Sequence, residues 1–446
     1  MLPTTPAPLF RRILSQGMAV FNRCGSTERR LCDNILDMRR FLAVYLAFLV
    51  FLIGLATAGG LYLFRETGPS DPIEAAADAH AYNVLSWEIR HLPTKWLYKL
   101  GHLFDSRSQW KEEEILRRYF SLTREIRQLE RDPEAGPQLE AAQDQRSRLE
   151  NAVEDILEGR ITALLEEQGL VINPPLFSEL NLVFPPVDFE LDSPPQVLAV
   201  SPRDHIELDH SYLLAPGLNL ATVVDIEKDA EATTSEGRGV SAVVLPTGGV
   251  ATYPSVVSEL APYESLIEDI IHEWLHQYLV FFPLGRSYFA DRETRTLNET
   301  VASLAGRELA RLFSERYGSP LPVLSEVEGP PSPPSTAPSS GFDFAAEMRA
   351  LRQRVEELLA SGQIDAAERL MNEKRDEFER HGVYIRRINQ AYFAFHGSYA
   401  DTPASIDPIG PKLGELLRCA GSPWEFIRLA SQLTSEADLD RLLAEG

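Results

Sequence analysis

Apolar residues recur at two different spacings along the chain, and the change of spacing divides the chain into regions. Charged stretches with intermittent Leu and Ile near 109–131 and 137–169 have helical periodicity, so 71–170 is predicted as a helical stalk or subdomain. Further along, paired prolines separate short β-rich pieces, of which Val240–Leu245 is the clearest strand. The core domain, 171–320, is therefore expected to contain both strands and helices.

The C-terminal part of the chain is predicted to be helical, beyond a segment of low complexity. Residues 325–341 are rich in Pro and Ser, a composition that predicts a disordered linker. The charged, amphipathic segments 343–360 and 364–380 predict a helical hairpin. The whole of 342–446 is expected to form a C-terminal helical region.

One long segment contains no charged residue. Phe41–Phe64 has 24 residues, and a helix of that length spans about 36 Å, enough for a hydrocarbon layer about 30 Å thick. Arg39 and Arg40 precede it, whereas the far side soon turns acidic. This bias predicts a cytoplasmic tail, 1–40, a transmembrane anchor, 41–64, and a domain outside the cytoplasm.

Two alternatives remain for this apolar segment. It can be a buried helix of a soluble protein, or a signal peptide cleaved after Ala58, because Ala56-Thr57-Ala58 resembles a cleavage site. The apolar run continues past that site to Phe64, which favours an uncleaved anchor. The predicted localisation is the cell membrane, with a single pass.

The charge balance narrows the choice of partners. The chain has 446 residues, with 43 Lys and Arg against 66 Asp and Glu, for a formal net charge of -23. So acidic a surface repels phosphate backbones, and no nucleic-acid partner is expected. The cysteines, Cys24, Cys32 and Cys419, provide no disulfide framework for the large domain.

One short motif carries recognisable chemistry. His272-Glu273-Trp274-Leu275-His276 places two imidazoles four residues apart on one face of a helix, where both can reach one metal ion. Glu273 can then act as general base toward a water that the metal activates. The flanking sequence predicts a buried helix that begins at a capping box, Ser265–Glu268. Ionisable groups are costly in such a helix unless they bind something, which favours a metal site over chance.

A third ligand is expected on a second helix, near 297–316. Leu279 occupies the glycine position of the longer HExxHxxGxxH pattern and no histidine recurs before His381, so a carboxylate is favoured. Glu299 opens the second helix, which a loop can return antiparallel to the first. Two histidines and one Glu are a recurrent ligand set of catalytic zinc. The predicted metal ligands are thus His272, His276 and Glu299.

The sequence leaves an alternative open for Glu299. Thr296-Leu297-Asn298-Glu299 is itself a capping box, in which Glu299 would only cap the helix. Glu293 or Asp291 would then be the third ligand.

The two motifs together resemble those of the gluzincin metallopeptidases, whose third ligand is a Glu in an Asn-Glu-x-x-Ala context, here Asn298–Ala302. The stretch 240–310 as a whole is similar to the bacterial zinc aminopeptidases of that clan. The resemblance implies that the two histidines and Glu299 are metal ligands and that Glu273 is the catalytic base. It also implies a peptide or protein substrate.

Two features of that family are not fixed by this sequence. Aminopeptidases of the clan commonly carry a Gly-x-Met-Glu-Asn segment whose acid holds the substrate amine, but Gly248–Pro254, at a similar place, has no acid. This segment is either an edge strand that pairs with substrate backbone or a tight turn. The donor that stabilises the oxyanion is also open, and the candidates are Tyr392, His396 and Tyr399.

These observations predict a fold class and a function. The expected fold is α+β, with a single N-terminal transmembrane helix, a helical stalk, a two-helix HExxH metallopeptidase core with a small β-rich part, and C-terminal helices. The expected function is that of a membrane-anchored peptidase that uses Zn²⁺ to hydrolyse peptide bonds with a metal-activated water. Its expected partners are a peptide or protein substrate and the membrane. The alternative is a non-enzymatic membrane protein with a structural zinc site.

Overall fold

The structure, a computed structural model, describes residues 72–84, 86–87, 109–132, 134–171, 182–235, 237–321 and 342–445. Within these residues it contains 14 helices and two sheets. Three segments predicted from the sequence lie outside the described residues: the tail 1–40, the anchor 41–64 and the linker 325–341.

The elements are numbered along the described residues. The helices are α1 (Pro72–Asp78), α2 (Gln109–Leu129), α3 (Gly136–Ser147), α4 (Glu150–Glu167), α5 (Leu220–Glu231), α6 (Tyr263–Leu279), α7 (Pro283–Arg286), α8 (Arg292–Tyr317), α9 (Phe344–Ala360), α10 (Ile364–Arg380), α11 (Gln390–His396), α12 (Ile409–Ala420), α13 (Pro423–Ala430) and α14 (Glu436–Glu445). The strands are β1 (Phe189–Asp192), β2 (Gln196–Pro202), β3 (His210–Leu214), β4 (Thr234–Ser235), β5 (Arg238–Pro246), β6 (Gly249–Val250) and β7 (Ser255–Ser258).

The larger sheet has four antiparallel strands in the order β3-β2-β5-β4. Successive side chains of a strand point to opposite faces, and here both faces are covered. On β5, Val240, Ala242 and Val244 pack with α1 and α5. Val243 points the other way, into a cluster formed by α9, α10 and α11. This sheet is therefore a middle layer between two helical layers, and we call it the scaffold sheet.

The smaller sheet has three strands in the order β1-β7-β6. Strand β1 runs parallel to β7, and β6 pairs antiparallel with it through Gly249↔Val257 and Val250↔Val256. Both β6 and β7 pack against α6, the helix that carries the HExxH motif. We call this sheet the site sheet, because it brings a strand edge beside that motif.

The helices of the predicted stalk share one hydrophobic core with the HExxH helix. Leu116 of α2 and Leu157 of α4 are fully buried in the same cluster as Ile271 of α6. Glu158 and Glu154 of α4 accept hydrogen bonds from the amides of Phe189 and Leu191, at 3.2 and 2.9 Å. These carboxylates bind backbone donors on the outer edge of β1, which pairs with no strand among the described residues.

The predicted fold class is corrected in one respect. The described chain is α+β, but none of its helices combines the length and the apolar character needed to span a bilayer. Even α8, with 26 residues, carries charged side chains along its whole length. The predicted single-pass localisation at the cell membrane is wrong on the same finding.

Candidate metal centre

The HExxH motif lies in the middle of α6, and the packing of this helix explains its position. Leu266, Ile267, Ile270, Ile271 and Leu275 are at most 1% exposed, so apolar burial fixes the helix on several sides. The helix begins at Tyr263, with no side-chain cap, and the capping box predicted at Ser265 is therefore wrong. Burial, more than capping, holds this helix in place.

The second helix, α8, begins earlier than the sequence predicts. It starts at Arg292, and Asp291 caps it by accepting a hydrogen bond from the amide of Thr294 at 2.8 Å. Glu299 consequently lies inside the helix and has no capping role. Its carboxylate faces α6, because α8 runs antiparallel to α6 with Asn298 beside His276 and Gly306 beside His272.

The three predicted ligands converge on one point between the two helices. The Nε2 atoms of His272 and His276 are 3.0 Å apart. Oε2 of Glu299 lies 3.5 Å from the first and 3.3 Å from the second. Among the described residues, these three form the one group of His, Cys, Asp or Glu side chains arranged to hold a metal ion.

Polar neighbours orient two of these three side chains. The Nδ1–H of His276 donates to Oδ1 of Asn298 at 2.8 Å, which directs Nε2 at the cluster. Tyr288 donates its hydroxyl to Oε1 of Glu299 at 2.5 Å, which leaves Oε2 facing the histidines. Oε2 is buried and accepts no hydrogen bond from the described residues.

These contacts are consistent with a bound cation. Ligand atoms at tetrahedral angles and zinc distances of about 2.0–2.1 Å are roughly 3.3 Å apart, close to the separations in this cluster. A buried carboxylate oxygen without a donor is costly unless a cation satisfies it. The residues present therefore fit a metal of the Zn²⁺ type, through the donor set that His272, His276 and Glu299 supply.

The charges of the cluster are strongly coupled. Burial lowers the pKa of His276, but the carboxylate of Glu299 outweighs burial and raises it to about 9. Burial raises the pKa of Glu299, yet the two imidazoles bring it well below its usual value. Glu299 is thus anionic near neutral pH, as a metal ligand must be, whereas a metal that binds His276 must displace one of its protons.

Glu273 differs from Glu299 in having no hydrogen-bond donor within the described part of the chain. Its side chain is 8% exposed, and burial raises its pKa despite the nearby imidazoles. Strand β6 lies directly over it: a Cβ on Gly249 would stand 2.9 Å from Oε1 of Glu273 and 2.8 Å from the carbonyl oxygen of Val256. Only glycine allows the strand to approach this carboxylate so closely.

The structure distinguishes among the residues that the sequence offered as alternatives. Asp291 is the helix cap, and Glu293 accepts a hydrogen bond from the amide of Glu436 at 2.5 Å, so neither belongs to the cluster. Tyr399 lies with its ring centroid 6.2 Å from that of His272. In contrast, Tyr392 packs on His396 at 4.3 Å, within the core beside the scaffold sheet.

Sequence reasoning missed Tyr288 and did not assign a role to Asn298. Tyr288 lies in the irregular loop between α7 and α8, where no periodicity indicates which side chain points inward. Asn298 was visible only as a neighbour of Glu299. Its position one residue before the predicted ligand, on a helix antiparallel to the HExxH helix, was the available signal.

Comparison of the chain with protein-family models, with curated proteins and with solved structures finds no match. The likeness to the gluzincins therefore stays a resemblance between short motifs.

Proposed function

We propose that this protein is a zinc-dependent peptidase that uses His272, His276 and Glu299 as metal ligands and Glu273 as general base. The observation that carries the proposal is the contrast between two buried carboxylates on facing helices. Glu299 is held by Tyr288 and faces both imidazoles, as a ligand should. Glu273 follows the first histidine directly and is free of hydrogen bonds within the described residues, as a base should be before substrate binds.

The chemistry divides between the metal and the chain. Bound Zn²⁺ supplies a Lewis acid that polarises a carbonyl and lowers the pKa of water. Glu273, with its raised pKa, accepts a proton and returns it to the leaving amine. Tyr399, beside His272, donates a hydrogen bond to the developing oxyanion; its high pKa, caused by burial and by Glu299, keeps the phenol protonated.

The site sheet supports a polypeptide substrate. Strand β6 is the last strand of its sheet, and no strand among the described residues pairs with its outer edge, where another extended chain can pair. Gly249 on that strand touches Glu273, which places a chain paired with β6 within reach of the base. Of the two interpretations of Gly248–Pro254, the edge strand agrees with the observed pairing to β7.

The test compares two nearly isosteric substitutions in the purified protein. Glu273→Gln removes the proton acceptor and leaves all three ligands, so zinc content should be unchanged while hydrolysis of a fluorogenic peptide library falls by at least ~10²-fold. Glu299→Gln removes the anionic ligand, so both zinc content and hydrolysis should fall.

Two outcomes would contradict the proposal. Wild-type hydrolysis by Glu273→Gln would remove the base from the mechanism. Full zinc content with no peptide cleavage by the wild-type protein would favour a structural zinc site instead. Glu293→Gln is the matched control, because Glu293 lies on the same helix but outside the cluster, and it should change neither measurement.

A further inference from the structure

Tyr399 is not carried by a regular element, so something else must hold it at the metal centre. Helix α11 ends at His396, and Tyr399 follows in a turn closed by a hydrogen bond from its amide to the carbonyl oxygen of His396 at 3.2 Å. Within this turn, the carbonyl oxygen of Tyr399 accepts hydrogen bonds from the amide and the hydroxyl of Thr402, at 3.0 and 2.9 Å. The position of the phenol also depends on how the turn is anchored to the rest of the protein.

The anchor is the residue that follows Glu299. The amide of Ala400 donates to Oγ1 of Thr300 at 2.9 Å, and the Thr300 hydroxyl in turn donates to the carbonyl oxygen of Thr296 at 2.6 Å. Thr300 is 0% exposed and Ala400 is 6% exposed, so no solvent substitutes for this bond. One turn of α8 thus carries a ligand to the metal and the acceptor that holds the chain next to Tyr399.

The other side of Ala400 is equally restricted. A Cβ on Gly410, near the start of α12, would stand 2.1 Å from the carbonyl oxygen of Ala400, so no side chain fits between them. Arg307, two turns beyond Thr300 on α8, pairs with Asp401 at 2.9 Å. Ala400 thus donates its amide to Thr300 on one side, and on the other its carbonyl oxygen packs against Gly410 of α12.

We propose that Thr300 is a positioning residue, which fixes Tyr399 at the His–Glu cluster through the amide of Ala400. The proposal rests on the proposed function in one respect, namely that Tyr399 contacts the reacting carbonyl. It adds that α8 sets the distance between the metal ligand and the oxyanion donor. Loss of the Thr300 hydroxyl leaves a buried amide without an acceptor, and the turn moves to recover one.

The first test is a double-mutant cycle on peptide hydrolysis. Thr300→Val keeps the shape and removes the hydroxyl; kcat should fall about tenfold with KM within about twofold and zinc content unchanged. Thr300→Ser keeps the hydroxyl and should recover most of the rate. Tyr399→Phe alone should cost about 10²-fold, and adding Thr300→Val to it should cost less than about twofold, because the two residues act in series.

Thr296→Val is the matched control. Thr296 lies one turn earlier on α8 and is 1% exposed, but its hydroxyl has no hydrogen-bond partner among the described residues. The same substitution there should leave kcat unchanged. If Thr300→Val proves unstable, Thr300→Ala removes the same hydroxyl with a smaller side chain and should give the same loss of kcat, again suppressed by Tyr399→Phe.

A second measurement does not need activity. In the metal-free protein, hydrogen exchange of the peptide that contains Ala400 should be faster in Thr300→Val than in wild type or Thr300→Ser. Unchanged exchange would overturn the inference even if the enzyme is a peptidase. So would an equal loss of kcat from Thr300→Val in the Tyr399→Phe background. Wild-type protein that binds zinc and hydrolyses no peptide would instead defeat the proposed function and, with it, the role of Tyr399.

Discussion

The scaffold sheet and the site sheet are built from neighbouring stretches of the same chain, yet they differ in regularity. In the scaffold sheet, β2 and β5 pair over seven residues, from Gln196↔Pro246 to Pro202↔Val240, and apolar side chains cover both faces. In the site sheet, β6 has only Gly249 and Val250, and its glycine touches Glu273.

This difference in regularity suggests separate roles, in which the scaffold sheet stabilises the fold and the site sheet serves the proposed activity. Long, paired strands with buried faces bury apolar area and satisfy backbone groups, so their contribution is chiefly to the free energy of folding. A strand as short as β6 buries little apolar area and pairs few backbone groups. Because no strand among the described residues pairs with its outer edge, backbone donors and acceptors lie unpaired by strands beside Glu273. Substitutions in the two sheets should therefore separate stability from activity.

The largest effect is expected in the scaffold sheet. Leu198 on β2 is 0% exposed and packs between α1 and α5. Leu198→Ala should lower the free energy of unfolding by about 2–5 kcal/mol, through lost burial and a residual cavity. Urea unfolding of the purified variant measures this. Peptidase activity per folded molecule should stay near wild type, and a large loss of kcat without loss of stability would contradict the comparison.

The opposite result is expected in the site sheet. Gly249→Ala places a methyl group 2.9 Å from Oε1 of Glu273 and 2.8 Å from the carbonyl oxygen of Val256, so the strand or the base must move. We expect kcat/KM for peptides to fall about tenfold or more, with about 1–3 kcal/mol of destabilisation from overpacking. Steady-state kinetics with a zinc assay checks this.

Gly239→Ala is the control for that substitution. Gly239 also lies in a strand, β5 of the scaffold sheet, but a Cβ there meets only the side chain of Arg203 at 3.5 Å, an ordinary contact. It should leave kcat/KM unchanged. If both alanine variants lose the same activity, the effect comes from strand glycines in general and not from proximity to Glu273.

The same contrast explains how far the sequence could predict the structure. Strand β5 was predictable because the run Val240–Leu245, which only Ser241 interrupts, is typical of a strand buried on both faces. The metal cluster was predictable because the spacing of His272 and His276 is a property of any helix, whatever surrounds it. Glu299 required one further step, the antiparallel return of α8, which the structure shows.

The remaining parts of the site depend on contacts between distant segments. Gly248–Pro254 permitted a strand or a turn, and only its pairing with β7 distinguishes them. Tyr399 was one of three candidates for the oxyanion donor, and the residue after it donates a hydrogen bond to Thr300, 100 residues earlier in the chain. No local pattern encodes such a contact. The start of α8 was misplaced because the sequence was assigned a capping box at Thr296, whereas Asp291 caps the helix.

The smallest expected effect is a loss in the free energy of unfolding, which arises because the site sheet packs against a charged face of α6. Asp269 lies one turn before Glu273 on α6 and faces the strand: a Cβ on Gly248 would stand 3.2 Å from its Oδ1. Burial raises the pKa of Asp269 to about 7, and the neighbouring Glu273 adds to the shift, while His272 opposes it and Glu268 reinforces it.

For an acid with a raised pKa in the folded state, the linked stability is present below its unfolded pKa, near 4, and is lost as pH rises through about 7. Wild-type protein without metal should therefore lose stability relative to Asp269→Asn over this window, because Asn mimics the neutral acid. Above pH 7 the variant should be more stable by on the order of 1 kcal/mol, since the carboxyl is only partly shielded from water. Urea unfolding of both metal-free proteins at pH 5 and pH 8 measures the difference. If wild type and Asp269→Asn differ by the same free energy of unfolding at both pH values, the charge of Asp269 does not destabilise the fold. Packing the site sheet against α6 would then carry no electrostatic penalty relative to the scaffold sheet.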